Sequence, residues 1–248
     1  FRHATDASQW IVNADDAAVM AMVRDVPGTT FRFSASGRLC DAFLGGKGKR
    51  HLIVHDEMLM TREELPLLGA HNVGNALASV LAVLTADPAH ESLDDLARLA
   101  AGLRSFRAPA HRLEPVVEQH GVLWIDDSKA TNVASAKVAI ESMTRPTILL
   151  LGGRHKGEPY TALLDGIAAH CRIVLAFGEA APIIESDLAG RAAVQRIEGT
   201  FADVMRRAHE LARPGDAVLL APACSSYDRF SNYEERGRAF AAAAKGDG

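Results

Sequence analysis

Between residues 122 and 244 the chain repeats one pattern five times, a short strand-like run closed by turn residues and then a longer stretch with helical spacing of apolar side chains. The strand candidates, mostly apolar, are residues 122–125, 147–151, 173–177, 194–197 and 217–220, and the helical stretches are 133–143, 160–169, 180–188, 201–212 and 233–244. Strands that are apolar on both faces and alternate with amphipathic helices belong in a mostly parallel sheet covered on both sides. The expected fold class is therefore α/β, with a Rossmann-like sheet over the C-terminal part. Its best-signalled helix follows Thr200: Thr200 and Asp203 form a capping pair, and Phe201, Val204, Met205, Ala208 and Leu211 share one face.

The first part is less regular. Residues 10–12 read as a strand, 13–16 as a turn able to cap a helix, and 17–23 as that helix. Residues 31–56 hold β-prone pieces broken by Gly37, Gly45, Gly46 and Gly48, which predict hairpins. Val73, Leu77, Val80, Leu81 and Leu84 line one face of a helix over 71–84, and Leu93, Leu96, Leu99 and Leu103 line a second. Residues 104–110, with Pro109, break the periodicity. At 248 residues the chain exceeds one ordinary core, so a boundary there predicts domains of 1–109 and 110–248.

Composition narrows the function. A net charge of −4 argues against a nucleic-acid binder, and no apolar run approaches the roughly 20 residues of a spanning helix. Cys40, Cys171 and Cys224 are far apart and odd in number, which suits a reducing cytoplasm. The histidines lack metal-binding spacing, so no metal ligands are assigned. The chain opens Phe1-Arg2-His3 without an initiator Met or a signal pattern, which predicts a segment of a longer protein.

Three of the turns that follow strands carry unusual chemistry. After residues 122–125 come Asp126-Asp127-Ser128-Lys129-Ala130-Thr131-Asn132, after 147–151 come Gly152-Gly153-Arg154-His155-Lys156-Gly157, and after 217–220 comes 221–230 with Cys224, Ser225, Ser226 and Tyr227. In an open α/β sheet such turns face one edge, where ligands bind. The glycines allow close backbone approach, Lys156 offers a point charge, and Ser225 and Ser226 offer hydroxyl and N–H groups near the last helix. Together they describe a pocket for a small dianion. Each feature also has a plain reading: residues 126–132 as an ordinary polar loop and Lys156 as a solvated lysine. Asn72 and Asn75 can hydrogen-bond an adenine edge, yet by spacing they more readily cap the helix that they open. Arg112 can reach a nucleotide or pair with Glu114. Neither GxxxxGK[ST] nor GxGxxG occurs, so a triphosphate cradle, if ATP is used, is expected outside this segment.

Taken in order, Val12-Asn13-Ala14-Asp15-Asp16, Gly69-Ala70-His71-Asn72-Val73-Gly74-Asn75-Ala76, His111-Arg112-Leu113-Glu114, residues 126–132, Leu151-Gly152-Gly153 with Lys156-Gly157, and residues 221–237 resemble the Mur ligase family, most closely its D-glutamate-adding branch. The resemblance implies that residues 1–109 are the last part of a central α/β ATPase domain and 110–248 the amino-acid-binding, Rossmann-like domain. It implies an ADP-forming ligase of peptidoglycan precursor synthesis that joins D-glutamate to UDP-N-acetylmuramoyl-L-alanine through an acyl phosphate, acts as a monomer, and uses ATP and Mg2+. The family's phosphate loop, carbamylated lysine and magnesium-binding histidine would precede Phe1, so the segment alone is expected to be inactive.

By the same resemblance Asn72 and Asn75 contact adenine, and Arg112 and Asp127 contact ribose or nucleotide. Lys129 faces phosphate and developing negative charge. Thr131 and Lys156 hold the α-carboxylate of D-glutamate, with Ser226 and the Tyr227 and Tyr233 backbones around its side-chain carboxylate; Lys129 and Lys156 are the catalytic candidates. His155 and Pro159 depart from the family, which often has acidic residues there. A sister amino-acid ligase, including a folate-directed one, and a free-standing Rossmann-like binding module remain the competing expectations.

Overall fold

The computed structural model describes residues 1–87, 90 and 92–246. The chain divides into two compact units, Phe1–Arg107 and Ala108–Gly248.

The first unit contains β1 (Gln9–Asn13), α1 (Ala17–Met22), β2 (Thr29–Ser34), β3 (Ala42–Gly45), β4 (His51–Val54), β5 (Glu57–Thr61), α2 (Ala70–Ala86) and α3 (Leu93–Ser105). Its sheet runs in chain order, β1-β2-β3-β4-β5. The expected hairpins need correction: β2 is parallel to both β1 and β3, and only β3-β4-β5 forms an antiparallel meander. Helix α1, capped by the Asp16 carboxylate, carries the chain back between β1 and β2, as a parallel pairing requires. Val73, Leu77, Val80, Leu81 and Leu84 are all buried on α2. On α3, Leu96, Leu99 and Leu103 are half-buried, but Leu93 is exposed, because it occupies the first helical position beside the N-cap Ser92.

The second unit contains β6 (Glu114–Gln119), β7 (Val122–Asp126), α4 (Val133–Glu141), β8 (Thr147–Gly152), α5 (Leu164–His170), β9 (Cys171–Phe177), α6 (Ala181–Leu188), β10 (Val194–Arg196), α7 (Phe201–Leu211), β11 (Ala217–Leu220) and α8 (Tyr233–Lys245). The sheet order is β10-β9-β8-β11-β7-β6, parallel throughout except for β6. Every residue of β8 is buried, so both faces of the central sheet are covered. One face packs Trp124, Ile148, Leu150, Leu175, Phe177, Val218 and Leu220 against Phe201, Val204, Met205 and Phe240 of α7 and α8. Thr200 and Asp203 form the full capping box.

Two expectations change here. Strand β6 was not anticipated; it folds back on β7 through His120 and Gly121, both at positive φ (52° and 75°), the geometry of a two-residue hairpin turn. The helix expected over 160–169 begins instead as a tight 3-10 turn, Tyr160–Leu163, before α5.

Candidate functional site

Strands β8, β11 and β7 are adjacent and parallel, so the turns after them emerge along one edge, and the chain returns to place β11 between its two predecessors. The turns are tied by backbone. Ala223 N donates to Ala130 O (2.9 Å), Gly152 N to Pro222 O (3.0 Å), and Arg154 and Ser225 exchange two bonds of 2.9 and 3.2 Å. Gly152 and Gly153 hold φ of 151° and 131°, and a methyl at Gly153 would overlap the Ser225 carbonyl oxygen. Glycine is therefore required where the second turn passes the third.

Arg236 of α8 locks the assembly from beneath. It is fully buried; Nε donates to Ser128 Oγ (2.9 Å), and Nη2 donates to Ser128 O (2.9 Å) and Cys224 O (3.2 Å). The Ser128 hydroxyl donates in turn to Tyr233 O (2.8 Å). Burial lowers the Arg236 pKa to about 10, which leaves the guanidinium charged at neutral pH.

Above this base lie the charged groups. Lys156 is exposed, and its Nζ reaches Thr131 Oγ1 at 3.4 Å across the first and second turns. Lys129 Nζ sits 3.8 Å from the Tyr233 ring centroid, a cation–π contact. Ser226 is buried, and its hydroxyl makes no hydrogen bond to any described residue. Tyr227 is exposed, and Tyr233 occupies the first position of α8, where a backbone N–H has no partner within the helix. The fold thus gathers Lys129, Thr131, Lys156, Ser226, Tyr227 and Tyr233 on one sheet edge. Ser225 is a correction: its N–H is spent on Arg154 O, and it lies well before α8, so it offers no helix-terminal anion site.

Asp126 and Asp127 turn inward. Asp126 accepts from Ser128 N (2.8 Å) and shares a 2.7 Å hydrogen bond with His111 Nδ1; Asp127 accepts from Leu113 N (3.2 Å). Burial raises both carboxyl pKa values, that of Asp127 to about 7. The alternative pairing of Arg112 with Glu114 does not occur, since Glu114 Oε2 accepts from His111 N (2.8 Å). Arg112 is exposed, and its charge acts on Asp127. His111, Glu114 and Asp126 bring candidate metal-ligand atoms within 4.8 Å of one another. Their lone pairs already serve hydrogen bonds within the cluster, and an imidazole among them does not suit the all-oxygen shell of magnesium.

Asn72 and Asn75 lie together in the first unit, with Asn75 Nδ2 donating to Asn72 Oδ1 (3.2 Å). Neither caps α2: the N-cap is Gly69, and Asn72 Nδ2 donates to Leu68 O (2.8 Å). Four residues central to the second unit's site were not singled out from sequence. Ser128, His111 and Arg236 lay inside named motifs without a role of their own, and Tyr160 read as a helix start.

Residues 111–224 match the family model described as Mur ligase, glutamate ligase domain. A UDP-N-acetylmuramoylalanine--D-glutamate ligase of Salinibacter ruber is 37% identical over 227 residues, 92% of this chain and 47% of that protein. One of Chromobacterium violaceum is 39% identical over 232 residues, 93% of this chain and 49% of that protein. The chain thus spans about half the length of the curated relatives that it matches. Among solved structures, a bifunctional folylpolyglutamate synthase/dihydrofolate synthase of Yersinia pestis, complexed with AMPPNP and Mn ion, superposes with a TM-score of 0.63 at 17% identity, covering 96% of this chain and 54% of that one, a likeness of fold.

Proposed function

Because the chain belongs to the Mur ligase family, with the glutamate ligase domain at residues 111–224, we propose that it is part of an ATP-dependent, ADP-forming ligase that joins D-glutamate to UDP-N-acetylmuramoyl-L-alanine. The observation that carries this reading is the meeting of the turns at Lys156 and Thr131, with the free Ser226 hydroxyl on the third turn. One cation and two hydroxyls on converging turns suit an amino acid with two carboxylates.

In this reading residues 1–109 are the end of the central nucleotide-binding domain and 110–248 the amino-acid-binding domain of a monomeric cytoplasmic enzyme of peptidoglycan synthesis. ATP phosphorylates the carboxylate of UDP-N-acetylmuramoyl-L-alanine, the D-glutamate amine attacks the acyl phosphate, and the tetrahedral intermediate collapses to amide and phosphate. Such chemistry depends on positioning and charge stabilisation. Lys156 and Thr131 hold the α-carboxylate of D-glutamate, and Ser226 with the Tyr227 and Tyr233 backbones holds the other. Lys129, held over Tyr233 and pairing with no carboxylate among the described residues, turns toward phosphate. Asn72 and Asn75 serve the adenine, and Arg112 and Asp127 the ribose. The inward-facing Asp127 suits that last role only through its hold on Leu113 beside Arg112. The one cluster of candidate ligands among the described residues, His111, Glu114 and Asp126, does not suit Mg2+.

The test is ATP consumption by the intact protein with UDP-N-acetylmuramoyl-L-alanine and a panel of amino acids. The reading expects turnover with D-glutamate and none with L-glutamate or a diamino acid. Turnover with a different amino acid would assign a sister ligase, and turnover with none would favour a binding module.

A further inference from the structure

The segment that presents Lys156 is weakly held. Up to Arg154 the second turn is anchored by backbone bonds to Pro222, Phe177 and Ser225, but no backbone hydrogen bond among the described residues involves residues 155–157. What holds them is side chain. His155 Nδ1 lies 3.0 Å from Tyr160 Oη, and the same hydroxyl lies 2.9 Å from Cys224 Sγ. Tyr160 and Cys224 are both buried, and the Tyr160 backbone N is fixed by Asp187 Oδ2 at 2.9 Å. Cys224 adjoins Ser225 and Ser226, and its carbonyl accepts from the buried Arg236. A continuous chain of side chains therefore runs from the residue before Lys156, through the interior, to the loop that carries Ser226.

This arrangement depends on the chemistry of both side chains: the Tyr160 hydroxyl gives the His155 imidazole its hydrogen-bond partner. Burial pushes the Tyr160 hydroxyl well above its usual pKa and the Cys224 thiol up to about 11, so both stay neutral at ordinary pH and act as hydrogen-bonding groups rather than ions. The Arg154 guanidinium is turned away, into an exposed ion pair with Glu179. It contributes nothing to holding Lys156.

We infer that the His155–Tyr160–Cys224 chain is a positioning device that fixes Lys156 against the Ser226 loop and thereby sets the span between the two carboxylate-binding ends of the site. His155 and Tyr160 are positioning residues: neither touches the substrate, and both act through Lys156 and the third turn. The inference rests on the proposed function for what that span accommodates, though the chain itself is independent of it.

Two readouts on the intact protein test it. Tyr160→Phe keeps the buried ring and removes only the hydroxyl, His155→Ala removes the outer end, and His155→Asn places an amide where Nδ1 stands. The first readout is alkylation of Cys224, followed by mass spectrometry so that Cys40 and Cys171 are scored apart. His155→Ala and Tyr160→Phe should each speed Cys224 labelling by about fivefold to tenfold, the worth of one neutral hydrogen bond, with the melting temperature lowered by only about 2–4 °C. An unchanged labelling rate in both overturns the inference, whatever the substrate proves to be. The second readout is kinetic: both variants should raise the KM for D-glutamate by about fivefold to tenfold with kcat and the KM for ATP within about twofold of wild type. The double variant should be no worse than either single one, and His155→Asn should restore wild-type values. Multiplying effects in the double variant, or an unmoved KM for D-glutamate in a protein whose wild type turns that amino acid over, overturn it. A wild type that ignores D-glutamate refutes the proposed function instead, and the labelling result then decides the chain by itself.

Discussion

The two sheets of this molecule handle polar residues in opposite ways. In the first unit, where strands follow one another in chain order, polar side chains find nearby partners: Asp15 accepts from the Ser34 and Ser36 hydroxyls and from the Ala35 and Ser36 amides, no more than 21 residues away. In the second unit the order crosses over, and the bonds that matter join distant positions. Ser128 and Arg236 are 108 residues apart, and Tyr160 and Cys224 are 64 apart. The sequential sheet spends the Asp15 carboxylate on joining the turn after β1 to the end of the neighbouring β2. A crossed one collects side chains from several turns at one edge and leaves some of them, such as Ser226 and Lys129, available to a ligand.

The sharpest way to break this contrast is to remove the long-range tie. Arg236→Met should cost about 3–5 kcal/mol in denaturant unfolding of the second unit, because three hydrogen bonds to a buried cation disappear and their acceptors stay buried. A loss below 1 kcal/mol would mean that the turns hold together without it. Next in size is Gly153→Ala, expected to cost about 2–4 kcal/mol from the overlap with Ser225 O and the strained φ. The local counterpart in the first unit, Asp15→Ala, should cost about 2 kcal/mol, since the Ser34 and Ser36 hydroxyls can partly turn elsewhere.

A pH effect probes the second unit. Asp127 has its folded pKa raised from 3.8 to about 7 by burial, so the folded state binds the extra proton between those values. Its contribution to stability is fully present below about pH 4 and falls away as pH rises through 7. Asp127→Asn should flatten that part of the stability profile, as unfolding midpoints across pH 4 to 8 would reveal; a slope unchanged by the substitution would remove Asp127 as its source. The smallest expected change has the opposite sign. Gly102→Ala on α3, where a methyl meets nothing within 4 Å, should stabilise the first unit by about 0.5–1 kcal/mol.

The same contrast explains what the amino-acid order made readable. Four of the parallel strands of the second unit were legible because burial demands apolar runs such as residues 147–151, whereas β10, Val-Gln-Arg at the sheet edge, is only partly buried and breaks that pattern. Strand β6 was not, because an edge strand containing Glu114, Pro115, Glu118 and Gln119 shows no apolar alternation, and only the turn at His120 and Gly121 betrays it. Glycines at 37, 45, 46 and 48 suggested hairpins throughout residues 31–56, yet the pairing of β2 with β1 follows from the crossover helix α1, a tertiary choice invisible in local turn chemistry. At the site, Lys129, Thr131, Lys156 and Ser226 could be found because they sit in turns after strands. Arg236 and Tyr160 sit inside helical segments, where a charge or a phenol reads as surface or core, and only the crossing of the chain brings them beneath those turns.

The most direct test of the account is a structure of the intact protein with D-glutamate bound. The account predicts one carboxylate within hydrogen-bonding distance of Lys156 Nζ and Thr131 Oγ1 and the other at Ser226 Oγ. D-Glutamate bound away from these turns, or held by only one of them, would contradict it.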